Sequence, residues 1–365
     1  MFSSPIIEIL LFIGAAQGLL LAAVLVTHRS ANRSANRILA ALLGIFSLLI
    51  FFHSSGVMQG YPAEKSAHQH LMQSIFALFG PLLYFYSRAS TESLFSFRRK
   101  DLLHAIPFIL CLGVYAVLAV VPDPDAIVET LNFVLPVLFL IQIGGYYFQI
   151  FRRLGAYGKS VRSFYSSPGK IALHWLYFLL VGQAVIWLAG MMIEMAGGDS
   201  HAWNIVWLML SVLMYAMGYF ALRQPAVFAG IGEEDVRYAR KKYERSTLTD
   251  SDAKRHASRL ADIMEHNKPY LDSGLTLPDL ARRLSLSTHH LSQVLNDTLG
   301  SSFFDYINSY RVEEAKRLLA EEEVRHYSIA AIGFEAGFNS LSAFNSVFKK
   351  MTGMTPSRFR QSSVD

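Results

Sequence analysis

Through the first 222 residues charge almost disappears for about twenty residues at a time, and nothing else in the chain limits its fold so tightly. Seven runs have this character, at 6–26, 38–58, 71–87, 102–121, 131–151, 171–195 and 202–222. A run of about twenty apolar residues makes a helix long enough to cross the roughly 30 Å hydrocarbon layer, where backbone groups must bond to each other because no water is present. The pattern predicts seven membrane-spanning helices. The competing fold is a large soluble helical core, but its helices would carry charge on their outer faces, and these runs carry almost none. Gly80-Pro81 in the third run predicts a kink. No basic stretch precedes the first run and no small-residue cleavage pattern follows it, so it reads as a retained span, not a cleaved signal.

The connections between runs carry an orientation signal. Segments 27–37, 88–101 and 152–170 hold 12 Lys and Arg residues, whereas 59–70, 122–130 and 196–201 hold Lys65 alone. Basic loops stay on the cytoplasmic side, so the N-terminus is expected outside and everything after the seventh run inside. The overall 52% hydrophobic and 17% charged content averages two unlike parts. Residues 1–222 hold 13 Lys+Arg and 9 Asp+Glu, while the last 143 hold 20 and 19. The single cysteine, Cys111, lies in an apolar run and reads as a buried, inert thiol.

The expected domains are a seven-helix membrane part at 1–222, a juxtamembrane linker and linker helix at 223–260, and a helical domain at 261–365. The basic and aromatic run at 237–243 suits anionic headgroups or a solvated linker equally, and DNA contact less well. A helix is expected over 249–267. Thr249 and Asp252 stand as a capping pair at its start, and Ala253, Ala257, Leu260, Ala261 and Met264 lie on one face. That face suits either the following domain or a second copy of the chain.

From Thr276 onward the chain repeats itself. Leu280 to Ser287 aligns with Ile332 to Asn339, 52 residues later, and a second amphipathic helix follows each copy, with Leu291 and Leu295 apolar in the first and Phe344 and Phe348 in the second. This is helix, tight turn, helix, written twice. Ala281 and Gly333 stand where two helices cross closely, and Ser285 and Gly337 where the chain turns sharply. Ser287 is placed to cap the first recognition helix, and Asn339 or Ser340 the second. Gly353 is placed to stop the last motif helix, and Thr355-Pro356 to start a short final one. A helix over 303–319 joins the copies.

These residues, the second copy's Gly337-Phe338, Phe344, Phe348-Lys349, Gly353, Thr355-Pro356 and Arg358 above all, resemble the DNA-binding domain of the AraC/XylS family of bacterial transcription regulators. The resemblance covers about 100 residues, 262 to 362. Gly333 departs from the more usual Ala, at a cost of about 1 kcal/mol in helix propensity. The fold class expected is therefore all-α, a seven-helix transmembrane bundle followed by a cytoplasmic double helix-turn-helix domain.

The resemblance implies that His289, Ser292, Gln293, Ser342 and Ser346 contact bases. Helical geometry adds Asn296, Leu341 and Asn345, which lie opposite the apolar faces of the two recognition helices. Gln and Asn pair with adenine, and Leu341 suits a thymine methyl or packing on the protein itself. Lys349, Lys350 and Arg358, with Arg282 and Arg283 beside the first motif, suit phosphates. Residues 265–365 hold 11 Lys+Arg against 12 Asp+Glu, so affinity per copy is expected to be modest. Expected partners are double-stranded DNA, the lipid bilayer, RNA polymerase, a second copy on DNA and an unidentified signal; the expected location is the bacterial inner membrane.

Among the apolar runs Glu8, His104, His174 and Glu194 are ionisable, and Gln17, Gln73, Gln142, Gln183 and Asn204 can hydrogen-bond. Most such groups join helices. The sharper expectation is that Glu8, Glu194 and His201 line an outward-facing ligand pocket. No phosphate-binding glycine loop, metal-spaced Cys/His set or GxSxG occurs, and His289 and His290 point about 100° apart on a helix. Neither a cofactor nor enzymatic activity is expected. The rival readings are a membrane enzyme or transporter with an autoregulatory DNA-binding tail, and a regulator freed by proteolysis in the linker.

Overall fold

The computed structural model describes residues 4–28, 32–54, 74–92, 95–118, 120–121, 125–167, 173–195, 200–223 and 248–362. They form helices and turns; among the described residues no strand occurs, and backbone pairing of the sheet type is confined to a single bridge between Tyr165 and Thr276. The chain separates into two compact units, Met1–Gly155 with Leu173–Gly232, and Ala156–Ala172 with Glu233–Asp365. Segment 156–172, which the loop charges assign to the membrane part, thus groups with the C-terminal unit. The linker 224–247, with its basic run, lies outside the described residues.

The first unit contains α1 (Ser4–Thr27), α2 (Arg33–Ser54), α3 (Phe79–Thr91), a 3-10 turn (Arg99–Ala105) leading into α4 (Ile106–Leu118), most of α5 (Asp125–Phe164), α6 (His174–Met195) and α7 (Ser200–Arg223). α1 packs on α2 and α7, α2 on α3, and α6 on α7. Glycines permit the close approaches. A Cβ on Gly14 would lie 3.0 Å from the Ser211 hydroxyl, and one on Gly80 would strike the Tyr146 ring. Helices in lipid associate through such small-residue contacts and interhelical hydrogen bonds, because lipid removes the hydrophobic drive between them. The bonds are here too. His53 Nε2 and Asn204 Oδ1 lie 2.8 Å apart, His104 Nδ1 and the Tyr146 hydroxyl 2.6 Å, and Tyr147 donates to Gln183 Oε1 at 3.1 Å. Large apolar side chains point outward, Leu20, Leu110, Phe148, Phe178 and Met192 among them.

Five described helices are long and apolar enough to cross a membrane, not the seven expected: Ile6–Thr27, Arg33–Ser54, Arg99–Leu118, His174–Ile193 and Trp203–Arg223. Of the third expected span the described residues hold a short helical piece at 74–76 and a separate helix after the turn at 77–78. Its helix, α3, has 13 residues, about 20 Å at 1.5 Å per residue, and the run's start lies outside the described residues. The fifth run lies inside a longer helix, and several of its side chains fall outside the described residues. α5 continues for 40 residues through Arg152, Arg153, Lys159 and Arg162. Arg88, expected in a basic loop, is buried instead in the last turn of α3. Its Nη1 meets Asp101 Oδ1 at 2.9 Å and its Nε meets Glu92 Oε1 at 3.2 Å, and Arg153 approaches the same Glu92 oxygen at 2.8 Å. Glu8 is half-buried in α1, while the side chains of Glu194 and His201 lie outside the described residues.

The second unit holds α8 (Asp250–Asn267), a 3-10 turn (Pro269–Leu271), α9 (Leu277–Arg283), α10 (Thr288–Gln293) running into a π-turn (Val294–Thr298), α11 (Phe303–Ala320), α12 (Ile329–Glu335), α13 (Leu341–Thr352) and α14 (Pro356–Ser362). Thr249 caps α8 by accepting from the Asp252 N–H at 3.2 Å. Leu260 and Met264 of α8 are fully buried, and the helix packs on the π-turn of the first motif. Leu260 and Met264 thus face the domain, while Ala253, Ala257 and Ala261 of the same face are half-buried. Around the second motif a core of Val312, Ala315, Leu319, Ile332, Phe338, Phe344 and Phe348 joins α11 to α12 and α13.

Candidate nucleic-acid interface

The first motif starts where the Thr276 hydroxyl accepts from the Asp279 N–H at 3.4 Å, closing the open end of α9. Leu277, Leu280, Ala281 and Leu284 are buried. The chain then turns at Ser285, whose φ is 56°, and the Leu286 N–H reaches back to the Ala281 carbonyl at 2.9 Å. Ser287 caps α10 through the His290 N–H at 3.1 Å, and Leu291, Val294 and Leu295 fill the core.

The second motif repeats each step. The Ser328 hydroxyl accepts from the Ala331 N–H at 3.1 Å, Gly337 turns at φ 89°, and the Phe338 N–H reaches the Gly333 carbonyl at 3.0 Å, the same bond 52 residues on. The turn is one residue longer here, so Ser340 rather than Asn339 caps α13, through the Ala343 N–H at 3.2 Å. Gly353, at φ 81°, ends α13, with its N–H on the Lys349 carbonyl at 2.9 Å. The departure at Gly333 has a steric reason. A Cβ there would lie 2.6 Å from Phe344 Cδ1, whereas the first motif has Ala281 with the smaller Leu291.

The two recognition helices present different faces. On α13, Leu341, Ser342, Asn345, Ser346 and Lys349 are all exposed, in one stripe about 12 Å long opposite Phe344, Val347 and Phe348. On the first, His289, Ser292 and Gln293 are half-buried and only Asn296 is exposed. α10 has just six residues before the backbone widens into i→i+5 bonding, with the Leu299 N–H on the Val294 carbonyl at 3.0 Å. Asn296, in that π-turn, donates from Nδ2 to the Ser292 carbonyl at 2.8 Å and to its hydroxyl at 3.2 Å.

The cations also divide. Arg283, Lys349 and Arg358 are exposed. Arg282 is exposed but lies 3.2 Å from Asp279 Oδ1, and Lys350 Nζ lies 3.1 Å from Asp305 Oδ1. Burial alone would raise the Asp305 carboxyl, but hydrogen bonds from Ser302 and Lys350, with the charges of Lys350 and Arg162, hold it below its ordinary value. Sequence reasoning passed over Asp305, although Ser302 and Asp305 form a capping pair at the start of α11. It also passed over Arg311, a fully buried arginine whose Nε donates to the Tyr270 carbonyl at 2.7 Å and Nη2 to the Asp272 carbonyl at 2.8 Å. Burial lowers its pKa to about 10, so it stays charged at neutral pH. Its signal was a charged residue on an otherwise buried face, between Ile307 and Ala315.

Comparison with known proteins bears on this unit alone. The helix-turn-helix domain family matches residues 280–362. The arabinose operon regulatory protein of Salmonella typhimurium is 34% identical over 104 residues, 28% of this chain and 36% of that protein. The uncharacterized HTH-type transcriptional regulator YtdP of Bacillus subtilis is 32% identical over 112 residues, 31% of this chain and 14% of that protein. The match thus spans well under half of either relative. The probable transcription factor PqrA of Proteus vulgaris is 30% identical over 93 residues, 26% of this chain and 74% of that protein. No solved structure matches the chain. With its paired, capped motifs, and with a relative matched over 74% of its length, the chain belongs to the AraC family of helix-turn-helix, DNA-binding transcription regulators.

Proposed function

We propose that the chain is a membrane-anchored, one-component regulator of transcription, in which the apolar helices receive a signal and the C-terminal unit reads DNA. One observation carries the reading: a tandem reading domain shares a chain with helices that are long, apolar and outward-facing in their large side chains. Such surface would be costly in water and is at home in lipid. The five candidate crossings among the described residues, like the seven read from the sequence, are odd in number, which would leave the chain's two ends on opposite sides, and the basic stretches at 27–37 and 152–170 favour the cytoplasm for the C-terminal one.

On DNA, the α13 stripe and the exposed edge of α10 enter successive major grooves, about 34 Å apart on one face of the duplex. Arg282, Arg283, Lys349 and Arg358 face phosphates. The slightly acidic balance of this region keeps each copy's affinity modest, so two copies on neighbouring half-sites supply useful occupancy, aided by the tether. Glu8, Glu194 and His201 belong to the sensing side of the bundle.

Two measurements test this. Reporters fused after Asp365 are expected to be active in the cytoplasm and silent outside; the reverse ends the reading. Mapping of DNA crosslinked to the full chain is expected to give discrete sites. A separate arm replaces Glu8 and Glu194 with Gln: an unchanged transcriptional response would remove those residues from sensing and leave DNA reading untouched.

A further inference from the structure

The connection that follows α5 is built into the DNA-binding unit. Residues 156–167 lie in sequence between two stretches of the first unit, yet pack in the second. Tyr165 forms an antiparallel bridge with Thr276. The Ser166 N–H and hydroxyl both donate to the Leu275 carbonyl, at 3.4 and 2.8 Å. The Ser166 carbonyl accepts from Asn308 Nδ2 at 3.3 Å and Arg311 Nη1 at 3.2 Å. Arg311 also donates to the Ser166 and Ser167 hydroxyls, both at 3.1 Å. Upstream, the Arg162 guanidinium lies 5.8 Å from the Phe304 ring centre. Ser166 is 2% exposed.

Two features give this contact a purpose. It touches the start of the first motif and the helix that joins the two: Leu275 and Thr276 begin the first motif, while Phe304, Asn308 and Arg311 stand on α11, which carries the chain to the second. Its grip is also mostly hydrogen bonds to backbone and hydroxyl groups, which bonds to water can replace once the segment lifts away. Arg311 also donates to the Tyr270 and Asp272 carbonyls, so part of its hold lies within the DNA-binding unit itself.

We propose that this surface is the input site of the DNA-binding unit and that its occupant is the chain's own α5–α6 connection, residues 162–167. Resting on the membrane-regulator reading, this adds the route by which the first unit addresses the second. The docked segment braces the two motifs at one angle, the condition for reading two successive grooves, and a movement of α5 loosens it. The unit is then held at two places, this clasp and the linker, so a cut in 224–247 leaves it attached until the clasp opens.

The test uses the full chain in nanodiscs, with Cys111→Ser as background. Bridge partners lie about 4.5–5.5 Å apart at Cα, within disulfide reach. Tyr165→Cys with Thr276→Cys is expected to oxidise to an intramolecular disulfide, and the oxidised form to bind a duplex selected from a random pool by the wild-type chain at least as well as the same variant reduced, which shares the loss of the Thr276 cap. Tyr165→Cys with Asn345→Cys is expected not to oxidise. Ser166→Trp, too large for its slot, is expected to weaken binding to that duplex about tenfold. No disulfide at 165–276, a locked form that binds more weakly than its own reduced form, or a well-folded Ser166→Trp chain that binds as wild type overturns the proposal. If the wild-type chain selects no duplex, the regulator reading fails instead, and the disulfide still decides whether the clasp exists.

Discussion

Between Thr276 and Thr352 one motif is built twice, and the copies agree in their caps and turn bonds while differing at the crossing, the turn and the reading helix. The first crosses through Ala281 and Leu291, turns on a serine at φ 56°, and reads from six residues and a π-turn. The second crosses through Gly333 and Phe344, turns on a glycine at φ 89°, and reads from twelve. The difference teaches how the scaffold is conserved physically. A larger core side chain demands a smaller residue opposite it, and a turn pressed against neighbouring backbone demands glycine. The half-buried polar face of α10 and the open stripe of α13 then set unequal tasks on DNA.

The sharpest way to break the comparison is to exchange the turn residues. A Cβ on Gly337 would run into the Tyr270 carbonyl and lie 2.8 Å from Leu271 Cα, at a backbone angle that already disfavours it. Gly337→Ala is expected to destabilise the second motif by more than about 3 kcal/mol, read as lost hydrogen-exchange protection in α12 and α13. Ser285→Gly should be neutral or stabilising by up to about 1 kcal/mol, because glycine prefers that angle. Equal losses at the two turns would refute the account.

The crossings come next. Gly333→Ala is expected to cost about 1–2 kcal/mol, overpacking against Phe344 outweighing the gain in helix propensity. Adding Phe344→Leu should recover part of that loss by recreating the pairing of the first motif. A double-mutant cycle showing no coupling would separate these residues. The reading helices follow. Asn345→Ala should cost about 1 kcal/mol on a selected duplex and relax its sequence preference. Asn296→Ala should cost less, since the Asn296 amide already holds Ser292. The smallest effect belongs to the lysines. Lys349→Ala is expected to reduce the slope of log affinity against log salt by about 1. Lys350→Ala should change it less, as Asp305 partly neutralises that charge. That pairing stabilises the fold above the ordinary carboxylate range and is lost as pH falls through the lowered Asp305 value, so it is intact at neutral pH.

Much of the reading unit was legible because its instructions are local. A helix cap needs a hydroxyl a few residues from its target, so Thr249 and Ser287 announce their helices, the structure chooses Ser340 over Asn339 for α13, and Gly337 and Gly353 announce a turn and a stop. The apolar runs were legible as apolar. Their division into spans was not, since hydropathy alone does not tell where a helix ends: α3 stops at 13 residues and α5 continues through four basic ones.

The sequence by itself determined the helical composition, the repeat and its caps, and the outward face of α13, because periodicity and short-range hydrogen bonds depend only on neighbours along the chain. Only tertiary structure decided that Lys350 is paired, that Gly333 makes room for a ring, that α8 packs on the first motif, and that Ser166 is clasped by Arg311. Those contacts join residues up to 145 positions apart, and no local pattern encodes which distant partner will meet a given side chain.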